Sequence, residues 1–238
     1  MKWLTLILLP LSLIATEPFF TLIDPPSHWL ISDPSKYEKG IKVTFIASKK
    51  KMFTPSLTLS TEKVGNATVE DYTHALEKIY HGKTFQKLGT FETAVGTGHL
   101  FQIDQKSQWG DIRLLQAFVL HDGYALIQTG ACLRKEFLNV HEDYLKTFKS
   151  LRVTPSLVES CHDAKLQKKI EALTKCWHKL CGSSKEAPET LFASSFFQTN
   201  QWKPLVNYVE KALASEGKCW QFLALKHIQE TLLMENES

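Results

Sequence analysis

The chain has 238 residues, room for one large domain or two small ones, and its 43% apolar and 22% charged residues suit a globular protein with a buried core. A formal charge of +3 is too small to argue for nucleic acid or a strongly acidic partner. Five cysteines at uneven spacings spell neither a zinc finger nor a thioredoxin motif.

Met1-Lys2 is followed by WLTLILLPLSLIA, an apolar run of 13 residues broken by Pro10, and then by polar Thr16-Glu17-Pro18. A membrane span needs roughly 20 apolar residues. The run therefore reads as a secretory signal peptide, residues 1–15, cut after the small residue Ala15, although Leu13 is a poor residue three positions before the cut. An uncleaved membrane anchor and a buried N-terminal strand are the alternatives. No cysteine follows the run, so lipid attachment of the bacterial lipoprotein kind is not supported.

Residues 19–33 (FFTLIDPPSHWLISD) predict an extended opening segment, a turn at Pro25-Pro26 and an aromatic anchor at Trp29. Residues 41–47 alternate as a strand. Lys49-Lys50-Lys51 then read as a solvated turn, with a membrane-surface contact as the functional alternative. Residues 56–62 (SLTLSTE) form a second strand of strict period two. Thr68, with Asp71 three residues on, caps a helix whose Val69, Tyr72, Leu76 and Ile79 share a face. Residues 84–133 predict three or four antiparallel strands in succession, punctuated at Gly89, at Gly96 and Gly98, at 107–110 and at Asp122-Gly123; the last suits a tight primed hairpin turn. Both faces of these strands carry apolar residues, so helices are expected to cover the sheet on both sides. A helix over 135–151 follows, with His141 in its apolar stripe as a packed or capping residue.

Thr154-Pro155-Ser156 marks a boundary, since proline cannot continue a helix. Beyond it Ser156 caps a helix reaching Cys181, with Gly182 as its stop. Pro188 and Pro204 open helices over 189–198 and 203–215, and 218–234 forms the last. Residues 235–238 should fray. The chain thus divides into residues 1–15, an α/β domain over 19–153 and a helical domain over 156–235.

The segments FTLIDPPSHWLIS, IKVTFIA, SLTLS, TVEDYTHALEKIY, GHLFQIDQ, IRLLQAFVLHDGYALIQTGA and FLNVHEDYLKTFKSLRV together resemble the PsbP/DcrB-like fold family, over about residues 19–153. The resemblance implies an α+β class: an antiparallel sheet with helices on both faces, here followed by a small all-α C-terminal bundle. It further implies a non-enzymatic accessory or binding role in an exported or membrane-associated setting, with no binding residue to carry over. The helical tail lies outside that pattern.

Catalytic motifs are sparse. A nucleophile elbow, a phosphate-binding Gly-Lys loop and a His-Glu-x-x-His helix are absent from the sequence. Gly96-Thr97-Gly98 lacks the rest of a nucleotide loop, and His74 with Asp71, Glu77 and His81 fits a solvated helix face. Cys176, His178 and Cys181, with Cys161 and His162 upstream, are candidate zinc ligands. On one continuous helix, however, Cys161 and Cys176 stand about 22 Å apart. A disulfide between helices, joining Cys161, Cys176 or Cys181 to Cys219 (Cys176–Cys219 first), or buried free thiols, fit the spacing better. Cys132 lies in a strand as a buried thiol.

The reading is an exported, periplasmic or secreted, non-enzymatic binding or accessory protein of a bacterial cell envelope. No catalytic residue, metal or cofactor is assigned. The partner is another protein of the envelope or exported space, with no nucleic acid and with peripheral membrane contact as a further candidate. Two rivals stand beside it. One is a secreted effector or chaperone-like factor whose helical bundle offers Phe196, Phe197 and Trp202 as a partner surface. The other is an enzyme using His99, His121 and Asp122, if these converge with Glu92 or Asp104.

Overall fold

The structure is a computed structural model that describes residues 17–49 and 52–234. The expected signal peptide, Lys50, Lys51 and the last four residues lie outside the described residues. Among the described residues the strands are β1 (Phe20–Leu22), β2 (Leu30–Ile31), β3 (Ile41–Ile46), β4 (Ser56–Lys63), β5 (Thr84–Glu92), β6 (Thr97–Ser107), β7 (Gly110–His121), β8 (Tyr124–Leu133) and β9 (Arg152–Thr154). Seven form one antiparallel sheet in the order β2-β3-β4-β8-β7-β6-β5; β1 and β9 form a separate two-stranded ribbon. The class is α+β.

The β7–β8 turn is built as the residues demand: Asp122 and Gly123 have φ of 46° and 79°, the pair of positive angles of a primed turn. From it the register runs without a slip from His121↔Tyr124 to Ile112↔Leu133. One-residue alternation then sends Phe118, Phe101, Ile103 and Ala125 to one face and Leu115, Ala117, Val119 and Leu126 to the other.

Helix α1 (Val69–Ile79) covers the first face. The expected capping box is present, with Thr68 Oγ1 accepting from the Asp71 amide and Asp71 accepting from the Thr68 amide. Tyr72 meets Phe118 edge-on at 4.7 Å between centroids and donates to Glu62. Helix α2 (His141–Lys149) lies on the other face, where Gly130 makes room for it: a Cβ there would stand 2.6 Å from the Tyr144 ring. Tyr144 donates to the Ala131 carbonyl. The helix expected over 135–151 is thus a 3-10 helix, Arg134–Asn139, followed by α2 and then by β9, which pairs with β1.

The C-terminal helices are α3 (Leu157–Ser160), α4 (Ala164–Ser183), α5 (Pro188–Ala193), α6 (Ser195–Phe197), α7 (Lys203–Ala212) and α8 (Lys218–Met234). A π-helical turn, Gln198–Trp202, joins α6 to α7. The helix expected over 156–181 is broken. Ser156 caps only α3; His162 takes a φ of 52°, and Asp163 caps α4 anew through the Leu166 amide. These helices share one buried cluster with the sheet, running from Val43, Phe45 and Leu126 through Trp29, Tyr144 and Phe148 to Leu157, Trp177 and Trp220. Polar contacts cross the same seam. Lys218 donates to the carbonyls of Ser27 and Trp29; within the helices, Trp220 donates to that of Leu157.

Two poles of the sheet follow from this register. At one, Phe19 packs against His121 (5.0 Å) and Tyr124 (5.5 Å), so the chain enters the fold beside the Asp122-Gly123 turn. At the other lie the loop between β3 and β4, the turn between β6 and β7, and the end of β8.

Candidate functional site

The second pole carries a cavity of about 540 Å³ lined by Trp109, Gly110, Asp111, Leu133, Arg134 and Lys135. The β6–β7 turn builds one wall. Ser107 Oγ donates to the Gly110 carbonyl and accepts from the Trp109 amide, which fixes the turn and holds the indole outward. Phe53, from the β3–β4 loop, supports that indole at 5.8 Å. The opposite wall forms because β8 stops pairing at Leu133, opposite Ile112, and the chain turns into a 3-10 helix. That exit leaves Arg134 and Lys135 exposed at the cavity mouth.

Charge at this pole is strongly uneven. Asp104 takes a bidentate contact from Arg113, with Nε–Oδ1 at 2.8 Å and Nη2–Oδ2 at 2.7 Å. Those bonds hold the Asp104 carboxyl below the usual carboxylate range, so Arg113 satisfies it. Arg134 stands further off, with Nε 3.7 Å from Oδ2, and its side chain is more than half exposed. Arg113 also lies 4.9 Å over the Phe137 ring. Lys106 sits opposite Asp111 in the β6–β7 pair, and Lys49 lies on the loop beside Phe53. The arrangement can hold an anion against an aromatic plane. It presents no nucleophile paired with a base.

The residues singled out by sequence are distributed differently. His99 stacks on Phe118 on the α1 face, whereas His121 contacts Phe19 on the α2 face. Asp122 is on the turn, Glu92 accepts from Thr97, and Asp104 belongs to Arg113. The histidines therefore do not converge, because one-residue alternation places positions 118 and 121 on opposite faces. His141 opens α2 with Nδ1 3.1 Å from the Leu138 carbonyl.

Cys176 and Cys219 are also kept apart. Trp177 Nε1 donates to the Leu232 carbonyl, so Cys176 lies near the far end of α8, about 20 Å along the helix from Cys219. A disulfide needs Cα atoms within about 7 Å, and none of the five cysteines is bridged. Burial pushes the Cys219 thiol up to about 12 and the Cys132 thiol up to about 11. Cys161 and Cys176 do not lie on one straight helix as expected, since the chain breaks at His162, whose φ is 52°. Among the described residues no group of three or more His, Cys, Asp or Glu could hold a metal ion.

Of the expected partner surface, Phe197 is buried against Trp177 and Phe192, and Trp202 is half-buried on Phe192. Only Phe196 stays exposed, so no aromatic patch forms there. Trp109, Arg134 and Lys135 meet only once three strands have paired, so no local sequence signal marks them as a site; of the expected Lys49-Lys50-Lys51 turn, Lys49 alone is among the described residues.

No family model and no curated protein matches the chain. Among solved structures it is similar to a protein of unknown function from Pseudomonas aeruginosa (16% identity, 54% of this chain and 99% of that one, TM-score 0.41). It is similar also to LpqN of Mycobacterium tuberculosis, described as involved in cell envelope biogenesis (11%, 58% and 84%, TM-score 0.46). A third is CyanoP, the cyanobacterial PsbP of Synechocystis sp. PCC 6803 (10%, 62% and 99%, TM-score 0.41). A PsbP is among these structures, and none of them carries a function across to this chain. No helix among the described residues is long and apolar enough to cross a membrane.

Proposed function

We propose that this chain is an exported binding protein of a cell envelope that holds an anionic group at the Trp109 pole and does no chemistry on it. The observation that carries the reading is the cavity itself: an indole on one wall and two exposed cations, Arg134 and Lys135, at its mouth. The formal charge of the whole chain is only +3, so the cations gathered here are a local feature of the fold, not a consequence of a basic composition. The failure of His99, His121 and Asp122 to converge favours binding over the catalytic rival. Export rests on the apolar residues 1–15.

Inorganic phosphate titrated into the chain, followed through the backbone amides, tests the anion site. Saturable shifts are expected at Gly110, Asp111 and Lys135, and an Arg134→Gln/Lys135→Gln variant should lose most of them. An absence of shifts at these amides, or shifts indifferent to the double substitution, overturns the reading.

A further inference from the structure

Eight large apolar side chains are exposed among the described residues, and four of them surround this one pole: Leu30, Met52, Trp109 and Leu138. Met52 is 74% exposed and precedes Phe53, which touches Trp109; Leu138, 80% exposed, sits on the 3-10 helix that leaves the cavity. Leu30 flanks the loop from the edge strand, opposite Ile46. Interspersed with them in the sequence are Lys49, Lys50, Lys51, Lys106, Arg134 and Lys135, against Asp111 and Glu136. The other four exposed apolar residues are Ile79, Leu88, Phe196 and Met234.

A soluble anion accounts for the cavity but not for the exposed apolar side chains carried at the same pole. Water penalises each of them, whereas the boundary of a bilayer rewards both halves of the pattern. Indole and aliphatic groups settle at headgroup level, and each lysine or arginine gains from anionic lipid. Resting on the reading above, we infer that the Trp109 pole docks on an anionic lipid surface: Met52, Trp109 and Leu138 enter the headgroup boundary while Arg134 and Lys135 engage lipid phosphates. The contact inferred is peripheral: no helix among the described residues is long and apolar enough to cross a membrane.

The test is sedimentation of the chain beginning at Thr16 with vesicles of phosphatidylcholine or of an equimolar phosphatidylcholine–phosphatidylglycerol mixture. Starting at Thr16 keeps every described residue and removes an apolar leader that partitions by itself. Binding is expected only to the phosphatidylglycerol vesicles. Arg134→Gln/Lys135→Gln should weaken it roughly 30-fold, the loss of two surface charges. Met52→Ser/Leu138→Ser, at solvent-exposed positions where folding is not at stake, should weaken it roughly tenfold. Equal binding to both vesicles overturns the inference, as does binding that polyphosphate abolishes and that ignores Met52→Ser/Leu138→Ser; the latter assigns the pole to a soluble polyanion. Phosphate shifts without vesicle binding overturn the inference and leave the anion site standing. Neither response removes both.

Discussion

Asp104 shows how a residue can sit beside a functional pole and yet serve the fold. Its carboxylate and the Arg113 guanidinium are both less than one-fifth exposed, and two short bonds join them. Hydrogen bonds to charged groups contribute about 1.5–3 kcal/mol, so Asp104→Asn should destabilise the chain by about 2 kcal/mol in urea unfolding at neutral pH. The pH dependence has a definite sign. Because the folded carboxyl is held below its ordinary value, the stabilisation is complete above about pH 4, the unfolded value, and is lost as pH falls through the lower folded one. The gap between parent and variant should therefore narrow in acid; a gap that widens there contradicts the assignment. Arg134 makes the longer contact with the same carboxylate, 3.7 Å, and keeps more than half of its side chain exposed.

At the scale of elements, local chemistry decided what could be read. Asp122-Gly123 and the Thr68–Asp71 capping box were legible because each is complete within four residues, and both are present. The capping box contributes measurably: Thr68→Ala should cost about 1 kcal/mol by thermal or denaturant unfolding. An unchanged stability would mean that packing of Tyr72 and Leu76 alone holds α1. What stayed hidden depends on distant partners. β9 exists because Phe20 to Leu22 lie alongside it, and no period within RVT announces a strand. The break at His162 has no glycine or proline to mark it, although Asp163 is a good helix cap in retrospect. Gly89 was read as a stop, yet β5 runs through it with a register shift between Lys87 and Gly89.

At the scale of the whole molecule, Trp29, Leu157 and Trp220 belong to a single buried cluster that spans the Thr154-Pro155-Ser156 boundary between the two domains expected from the sequence. A single cooperative thermal transition is therefore expected, monitored in parallel by near- and far-ultraviolet circular dichroism; two separated transitions would restore the division. The position at which the polypeptide enters the sheet has a further consequence. Phe19 rests at the Asp122-Gly123 end, whereas Trp109 adjoins the start of β7, a strand of 12 residues and so about 40 Å long. Electrostatic attraction to a charged surface fades over about 8 Å at physiological salt. A polypeptide leashed to a bilayer by residues 1–15 consequently holds its cationic tip out of range of the very membrane that tethers it. If the expected cleavage after Ala15 takes place, and the Trp109 pole docks as proposed, only the freed molecule can turn that pole onto the leaflet it has left.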